Sequence, residues 1–253
     1  MDLSTVDMGA QTNIALSRAM QNADLGGNFT SDYRIERSSY AEALISKDVF
    51  HLRYRVYCID RQFLNAAHYV DQCEVDEYDI RSTYFSAYAA DNALLGSVRI
   101  VIGNDAETLP FEKYCPVFPN FTFTSRDQSC EISRLVIQPH LCRRANDELR
   151  PQEMIVGCEP TTYRSGNQRL LLSLYRALTQ HCRDRGIVYL YAAMETRLAR
   201  SLKMAGFNFK AIGPESDYYG PVAPFVIDLQ ELDVELRTNN PVLARWFIEE
   251  RAL

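Results

Sequence analysis

The sequence predicts a mixed α/β fold, one sheet flanked by helices. Three observations carry this. Short β-branched and aromatic runs ("TYFSAYAA", "LLGSVRIVIG", "CEISRLVIQP", "IVYLYAA", "APFVIDL") have the length and bounding turns of strands. Between them lie segments with the helical repeat, above all "RLLLSLYRALTQHCRDRG". The 253 residues are 47% hydrophobic and 24% charged, the balance of one large or two small globular domains.

Taken in order, residues 1–37 are polar apart from a short amphipathic stretch around Ile14, Leu16 and Met20. "NADLGGNFTSD" breaks that stretch, so the span is expected to be a flexible arm. From Ser38 a helix is predicted, with Leu44, Ile45, Val49, Leu52, Val56 and Tyr57 at helical spacing and Ser39 as N-cap. "CEVDEYDIRS" reads as an acidic loop. "TYFSAYAA", the turn "DNA" and "LLGSVRIVIG" form a hairpin. The next segment, with three prolines and several aromatics, is a loop excursion ahead of the strand "CEISRLVI". The long polar stretch after Pro139 has the character of a lid or a disordered loop.

The strong helix follows, with Leu170, Leu171, Leu174, Leu178 and Cys182 on one face and Gly186 as its stop. Then come the strand "IVYLYAA", the helix "ETRLARSLKMAGF" with Leu198, Leu202 and Ala205 inward, and the strands "NFKAIG" and "APFVIDL". "PVLARWFIEERAL" is a short helix. The expected division is an arm (1–37), one catalytic-sized domain (38–230) and a tail with a short helix (231–253).

Composition removes several classes. A net charge of −6 argues against general nucleic-acid binding. No run approaches the roughly 18 apolar residues of a membrane span. The N-terminus lacks the basic and apolar regions of a secretory signal, so the cytoplasm is the expected compartment. The seven cysteines form no CxxC pair and do not cluster with histidines. They are expected to be reduced core residues, with no metal site. Charge is uneven: Leu141–Lys210 holds twelve Lys/Arg against six Asp/Glu, and the rest fifteen against twenty-seven. That basic segment suits either an anionic partner or ordinary solvated helix faces.

GxGxxG, P-loop, HExxH and GxSxG patterns are absent. What remains are four places where charge abuts an apolar element: "LRYRVY", "CEVDEYD", "GSVRIV" and "CEISRLVI". A buried charge is expensive unless paired or used. Arg99, in a strand, must find an anion. Glu131 and Arg134 sit at the mouth of a core strand. Being three apart, strict alternation puts them on opposite faces, and only a bulge brings both to one cleft. A plain structural ion pair between Arg99 and Glu131 is the competing reading.

In this order the segments "FHLRYRVYCIDRQFL", "DEYDIRSTYF", "GSVRIV", "LPFEKYC", "EISRLVI", "AAMETRLARSLKMAGFNFKAIGP" and "YYGPVAPFVIDL" resemble the acyl-carrier-protein-dependent synthases of the GCN5-related (GNAT) acyltransferase superfamily. Two branches are similar: the acyl-homoserine-lactone autoinducer synthases, and the long-chain N-acyl amino acid synthases with the acyltransferases of exosortase and PEP-CTERM systems. Leu64 stands where the autoinducer synthases carry a tryptophan, and the last two segments resemble the N-acyl amino acid branch.

The resemblance implies a mostly antiparallel sheet whose central strand is splayed and bulged. It implies Glu131 and Arg134 as catalytic residues, and Arg53, Asp76, Asp79 and Arg99 as substrate-binding ones. The implied reaction moves a long-chain acyl group from the phosphopantetheine thioester of acyl-carrier protein to the α-amine of an amino acid, with no bound cofactor. An acidic carrier would dock on the basic segment through Arg143, Arg144, Arg169 and Arg176. Lactone synthesis, acetyl-CoA-dependent N-acetylation and a non-catalytic acyl-carrier or lipid sensor are the alternatives.

The chemistry asks for matching groups. A carboxylate such as Glu131 takes the amine's proton. The superfamily's splayed strand offers backbone N–H groups to the thioester oxygen. A fork-shaped cation, Arg53 or Arg99, holds the amino acid carboxylate. Asp76 and Asp79 hold those arginines or meet the ammonium.

Overall fold

The computed structural model describes residues 33–104, 106–138 and 165–249. Its centre is an eight-stranded sheet. The strands are β1 (Tyr33–Ser39), β2 (Ser82–Ala89), β3 (Leu94–Ile102), β4 (Ser129–Ile137), β5 (Tyr189–Met194), β6 (Lys210–Ala211), β7 (Ser216–Asp217) and β8 (Pro221–Asp228). Their order is β1-β2-β3-β4-β5-β8-β6, with β7 also on β8. All pairs are antiparallel except β4–β5. The expected hairpin is β2–β3.

β1 lies inside the span expected to be an arm. Its Arg34, Glu36 and Arg37 are exposed while Tyr33 and Ile35 pack on the core. Such charge on an edge strand blunts further pairing, and it also hides the strand in a polar-looking sequence. Residues 1–32 lie outside the described residues.

Ser39 caps the first helix as expected. The Glu42 N–H donates to Ser39 Oγ (3.4 Å) and the Ser39 N–H donates to Glu42 Oε2 (2.7 Å), a reciprocal capping box. The single helix expected here is broken. α1 (Tyr40–Ser46) ends where Lys47 turns left-handed (φ 59°), and α2 (Asp48–Tyr54) restarts and runs into a π-helical turn, Arg55–Asp60.

α3 (Ser165–Asp184) and α4 (Thr196–Met204) cover one face of the sheet. Leu170, Leu171, Leu174, Leu178 and Cys182 are buried there against Phe85, Val98, Ile100 and Ile132. The expected tail is part of this core. α5 (Leu229–Asn239), which the sequence reading left out, buries Leu232 and Leu236. α6 (Pro241–Ala244), with its following π-helical turn Arg245–Glu249, adds Leu243, Trp246 and Phe247.

The opposite face is split. α1 and α2 cover β2–β4 through Val49, Phe50, Leu52 and Tyr84. The loop 103–128 covers β5 and β8 through Leu109, Phe111 and Tyr191. Among the described residues, no helix is long and apolar enough to cross a membrane.

Candidate active site

The seam between those two clusters lies at β4, and a bulge shapes it. Opposite Ser97 and Arg99 on β3 stand Val136 and Ser133, so β4 spends one extra residue there. Arg134 takes it up with a left-handed backbone (φ 50°), uncommon for any residue but glycine. The phase of the strand flips. Cys130 and Ile132 face α3 before the bulge, and Leu135 and Ile137 face it afterwards. Ser133 and Arg134 are therefore neighbours on the other face, where Val136 packs with the α2 cluster. The bulge expected for joining Glu131 and Arg134 is present. Pairing with β5 covers only Ser129–Glu131, so the two strands part beside Glu131.

On this face three arginines meet three carboxylates. Arg53, from α2, is wholly buried. It donates through Nε to Glu74 and through Nη1 and Nη2 to Asp79 (2.8 and 3.1 Å). Arg99, from β3 and equally buried, donates through Nη1 to Asp76 Oδ1 (2.6 Å) and Asp79 Oδ1 (2.7 Å), and through Nε to Ser133 Oγ (3.0 Å). Arg134 donates through Nη2 to Asp76 Oδ2 (2.9 Å) and Glu74 Oε1 (3.2 Å). Tyr84 and the Asp76 N–H both donate to Asp79 (2.7 Å each). Burial pushes the Glu74 carboxyl up, but Arg134 and Arg53 outweigh it and bring it down to about 2. The same contest, won by Arg53 and Arg99, holds Asp79 well below the usual carboxylate range. Asp76 is the most exposed of the three acids (15%) and is the network's opening to the outside. Arg99 Nη2 is buried with no hydrogen-bond partner among the described residues.

Three positive and three negative charges balance, and a fourth acid stands beside them. Glu131 is that acid. It is 1% exposed and accepts one bond, from the Phe111 N–H to Oε2 (2.8 Å). Burial raises its pKa to about 8, against the pull of that N–H and of Arg99 and Arg134. A carboxyl with that pKa is a proton acceptor for an α-ammonium, whose own pKa is about 8.

Residues 52–150 match the model of the acetyltransferase (GNAT) domain. The acyl-homoserine lactone synthase BjaI, described as CoA-dependent and solved with MTA, aligns with TM-score 0.54 at 22% identity, covering 81% of this chain and 89% of that one. The AHL synthase LasI aligns with TM-score 0.54 at 17% identity, over 79% and 91%. MesI, also described as CoA-dependent, gives 0.54 at 16%, over 87% and 98%. The chain has the GNAT fold. Among curated proteins, none matches this sequence.

Within that fold, the sequence-predicted residues Arg53, Asp76, Asp79, Arg99 and Arg134 come together in one network, with Glu131 beside it. The competing Arg99–Glu131 ion pair is not formed: no bond joins them, and the bonded nitrogens of Arg99, Nε and Nη1, go to Ser133, Asp76 and Asp79. Two of the four expected docking arginines lie among the described residues, both on α3. Arg169 is on the exposed surface of α3, Arg176 lies over the Trp246 ring (4.6 Å), and Arg143 and Arg144 lie outside the described residues. Cys58, Cys73, Cys115, Cys130 and Cys182 are free thiols in the interior, and Cys142 and Cys158 lie outside the described residues.

Sequence reasoning missed Glu74, Ser133, Tyr84 and the Phe111 N–H. Glu74 was findable. It stands between Cys73 and Val75 in an acidic loop, and three core arginines need three partners. Glu77 of the same loop is exposed and faces Lys113 (3.3 Å) instead. The Phe111 donor is a backbone group brought from 20 residues away, which no side-chain pattern announces.

Proposed function

We propose that this chain is an N-acyltransferase that moves a long-chain acyl group from a carrier-protein thioester to the α-amine of an amino acid. The observation that carries the reading is Glu131: an acid buried at the parting of β4 and β5, raised to about 8 and held by one N–H. It is matched to an amine that must lose a proton before attacking a thioester.

The residue roles follow from what each group has left to give. Arg53 has its three donor nitrogens committed to Glu74 and Asp79, so it positions rather than binds. Arg99 keeps Nη2 for the acceptor's carboxylate. Asp76, partly exposed and fixed by Arg99 and Arg134, receives the ammonium, and Asp79 holds Arg53 and Arg99 in register. Together they are a recognition pair for a zwitterion, one cation and one anion a single side chain apart. Attack on the thioester carbon forms the amide bond and expels the thiolate. Glu131 takes the amine proton, and the β4 N–H groups beyond the β5 pairing face the developing oxyanion.

Mass spectrometry of lipid extracts from an expressing host tests this. An N-acyl amino acid is expected with the wild type and absent with Glu131→Ala. An acyl-homoserine lactone instead would establish the autoinducer-synthase alternative, which the fold likeness to BjaI and LasI favours.

The donor is a carrier protein in this reading, docked on the basic segment, although BjaI and MesI are described as CoA-dependent. Arg176 is packed on Trp246, so its reversal would confound folding with docking. Reversing Arg143, Arg144 and Arg169 together is expected to raise KM for acyl-carrier protein while leaving turnover of the acyl-CoA analogue unchanged. Equal kinetics with the carrier would rule out docking there.

A further inference from the structure

Among the described residues, six non-glycine residues have a left-handed backbone, and two of them touch. Lys47, Gln62, Gln72 and Asn92 lie in connecting segments. Arg134 is inside a strand, and Tyr219 (φ 56°) is in the turn ahead of β8. The Tyr219 ring centroid lies 5.0 Å from the Arg134 guanidinium. Tyr57, from the π-helical turn, approaches the same guanidinium at 5.3 Å, with the two rings 6.3 Å apart. Glycine would relieve the backbone at either position, yet each holds a large side chain whose contact is with the other.

The turn itself is firmly held. The Tyr218 N–H donates to Gly220 O (3.0 Å) and the Gly220 N–H donates to Asp217 Oδ1 (3.3 Å). A Cβ at Gly220 would lie 3.3 Å from the Phe63 ring, which itself stands beside Tyr57. Tyr218 stacks on Tyr114 and lies tilted against Tyr219, at 4.5 Å each. Tyr219 and Tyr57 thus flank the Arg134 guanidinium together, and its donors point at Glu74 and Asp76.

We propose that Tyr219 is a positioning residue: its ring, with that of Tyr57, clamps Arg134 so that Arg134 holds Asp76 in place for the acceptor amine. The proposal rests on the function proposed above for its kinetic consequence, but the clamp itself is testable without it. The clamp explains why β4 keeps an arginine at a strained bulge. A guanidinium backed by both rings holds one oxygen of Asp76 while Arg99 holds the other.

Three variants separate this from a structural role. Tyr219→Gly removes the ring but suits the backbone, so the fold is retained. Tyr219→Phe keeps the ring and removes only the hydroxyl, which also bonds Arg134. Arg134→Lys keeps the charge and loses the planar fork. In nitrogen-15 NMR of the full chain, the Arg134 Nε–H resonance, assigned by its loss in Arg134→Lys, is expected upfield-shifted by the rings in wild type and in Tyr219→Phe. It should move downfield in Tyr219→Gly, where only the Tyr57 ring remains to shield it. Kinetically, Tyr219→Gly is expected to lower kcat/KM for the amine about a hundred-fold, the cost of a group misplaced by about 1 Å, with KM for the thioester unchanged. Tyr219→Phe should restore it. An unmoved resonance in Tyr219→Gly, or a Tyr219→Phe variant as impaired as Tyr219→Gly, overturns the clamp. A resonance that moves as expected in a protein that makes no N-acyl amino acid supports the clamp and refutes the function.

Discussion

Glu131→Gln is expected to lower acyl transfer by about a hundred- to ten-thousand-fold, the range a lost general base costs, while making the protein more resistant to heat. Both effects have one cause. Gln keeps the shape and still accepts from the Phe111 N–H, but it has no proton equilibrium. In the wild type the folded pKa of about 8 lies far above the roughly 4.3 of an unfolded glutamate. The native state therefore holds a proton that the unfolded chain has released. Glu131's contribution to stability is full below about pH 4 and is lost progressively as pH rises to about 8. The rate runs the other way, since only the ionised form accepts a proton: kcat/KM should climb with pH through about 8. Melting curves and initial rates between pH 5 and 9 check both. The wild type is expected to lose stability and gain activity across that range, and the variant should lack the Glu131 contribution to either slope. A variant that retains the wild-type rate would remove Glu131 from the chemistry.

The parts of this site that a sequence displays are those where one residue carries its own contradiction. Arg99 between apolar neighbours, and Glu131 at the head of "EISRLVI", announce a buried charge and so a partner. The bulge was legible as a condition: Glu131 and Arg134 share a face only if the strand slips. Helix α3 showed itself because Leu170, Leu174 and Leu178 pack on one side. What stayed hidden depends on distant chain. The Phe111 N–H reaches Glu131 through the loop's own fold, and Tyr219 meets Arg134 only because β8 returns beside β5. β1 was hidden for another reason. Its exposed Arg34, Glu36 and Arg37 protect the sheet edge and give the strand the composition of an arm. The break at Lys47 escaped because helical spacing resumes on its far side.

Asp79→Asn should be the most destabilising single change in the network, by about 3–5 kcal/mol, the cost of breaking a buried ion pair from one side. Asp79 accepts from Arg53 twice, from Arg99, from Tyr84 and from the Asp76 N–H. An asparagine offers one oxygen to those donors and turns an NH2 group toward a guanidinium that has only donors. Arg53 and Arg99 are then two wholly buried cations sharing what Glu74 and Asp76 can supply. For a chain of this size the loss corresponds to a fall in Tm on the order of 10 °C. The acid limb adds a second signature. Folded Asp79 and Glu74 titrate below their unfolded values of about 3.9 and 4.3, so their stabilisation is complete above those values and drains as pH falls toward about 2. Removing Asp79's share should make the wild type's steep acid unfolding shallower in the variant, which would start from a lower plateau at pH 7. Thermal denaturation at pH 2 to 7 measures both. Equal plateaus would mean that Arg53 and Arg99 find other partners, and that Asp79 is not what holds them in register.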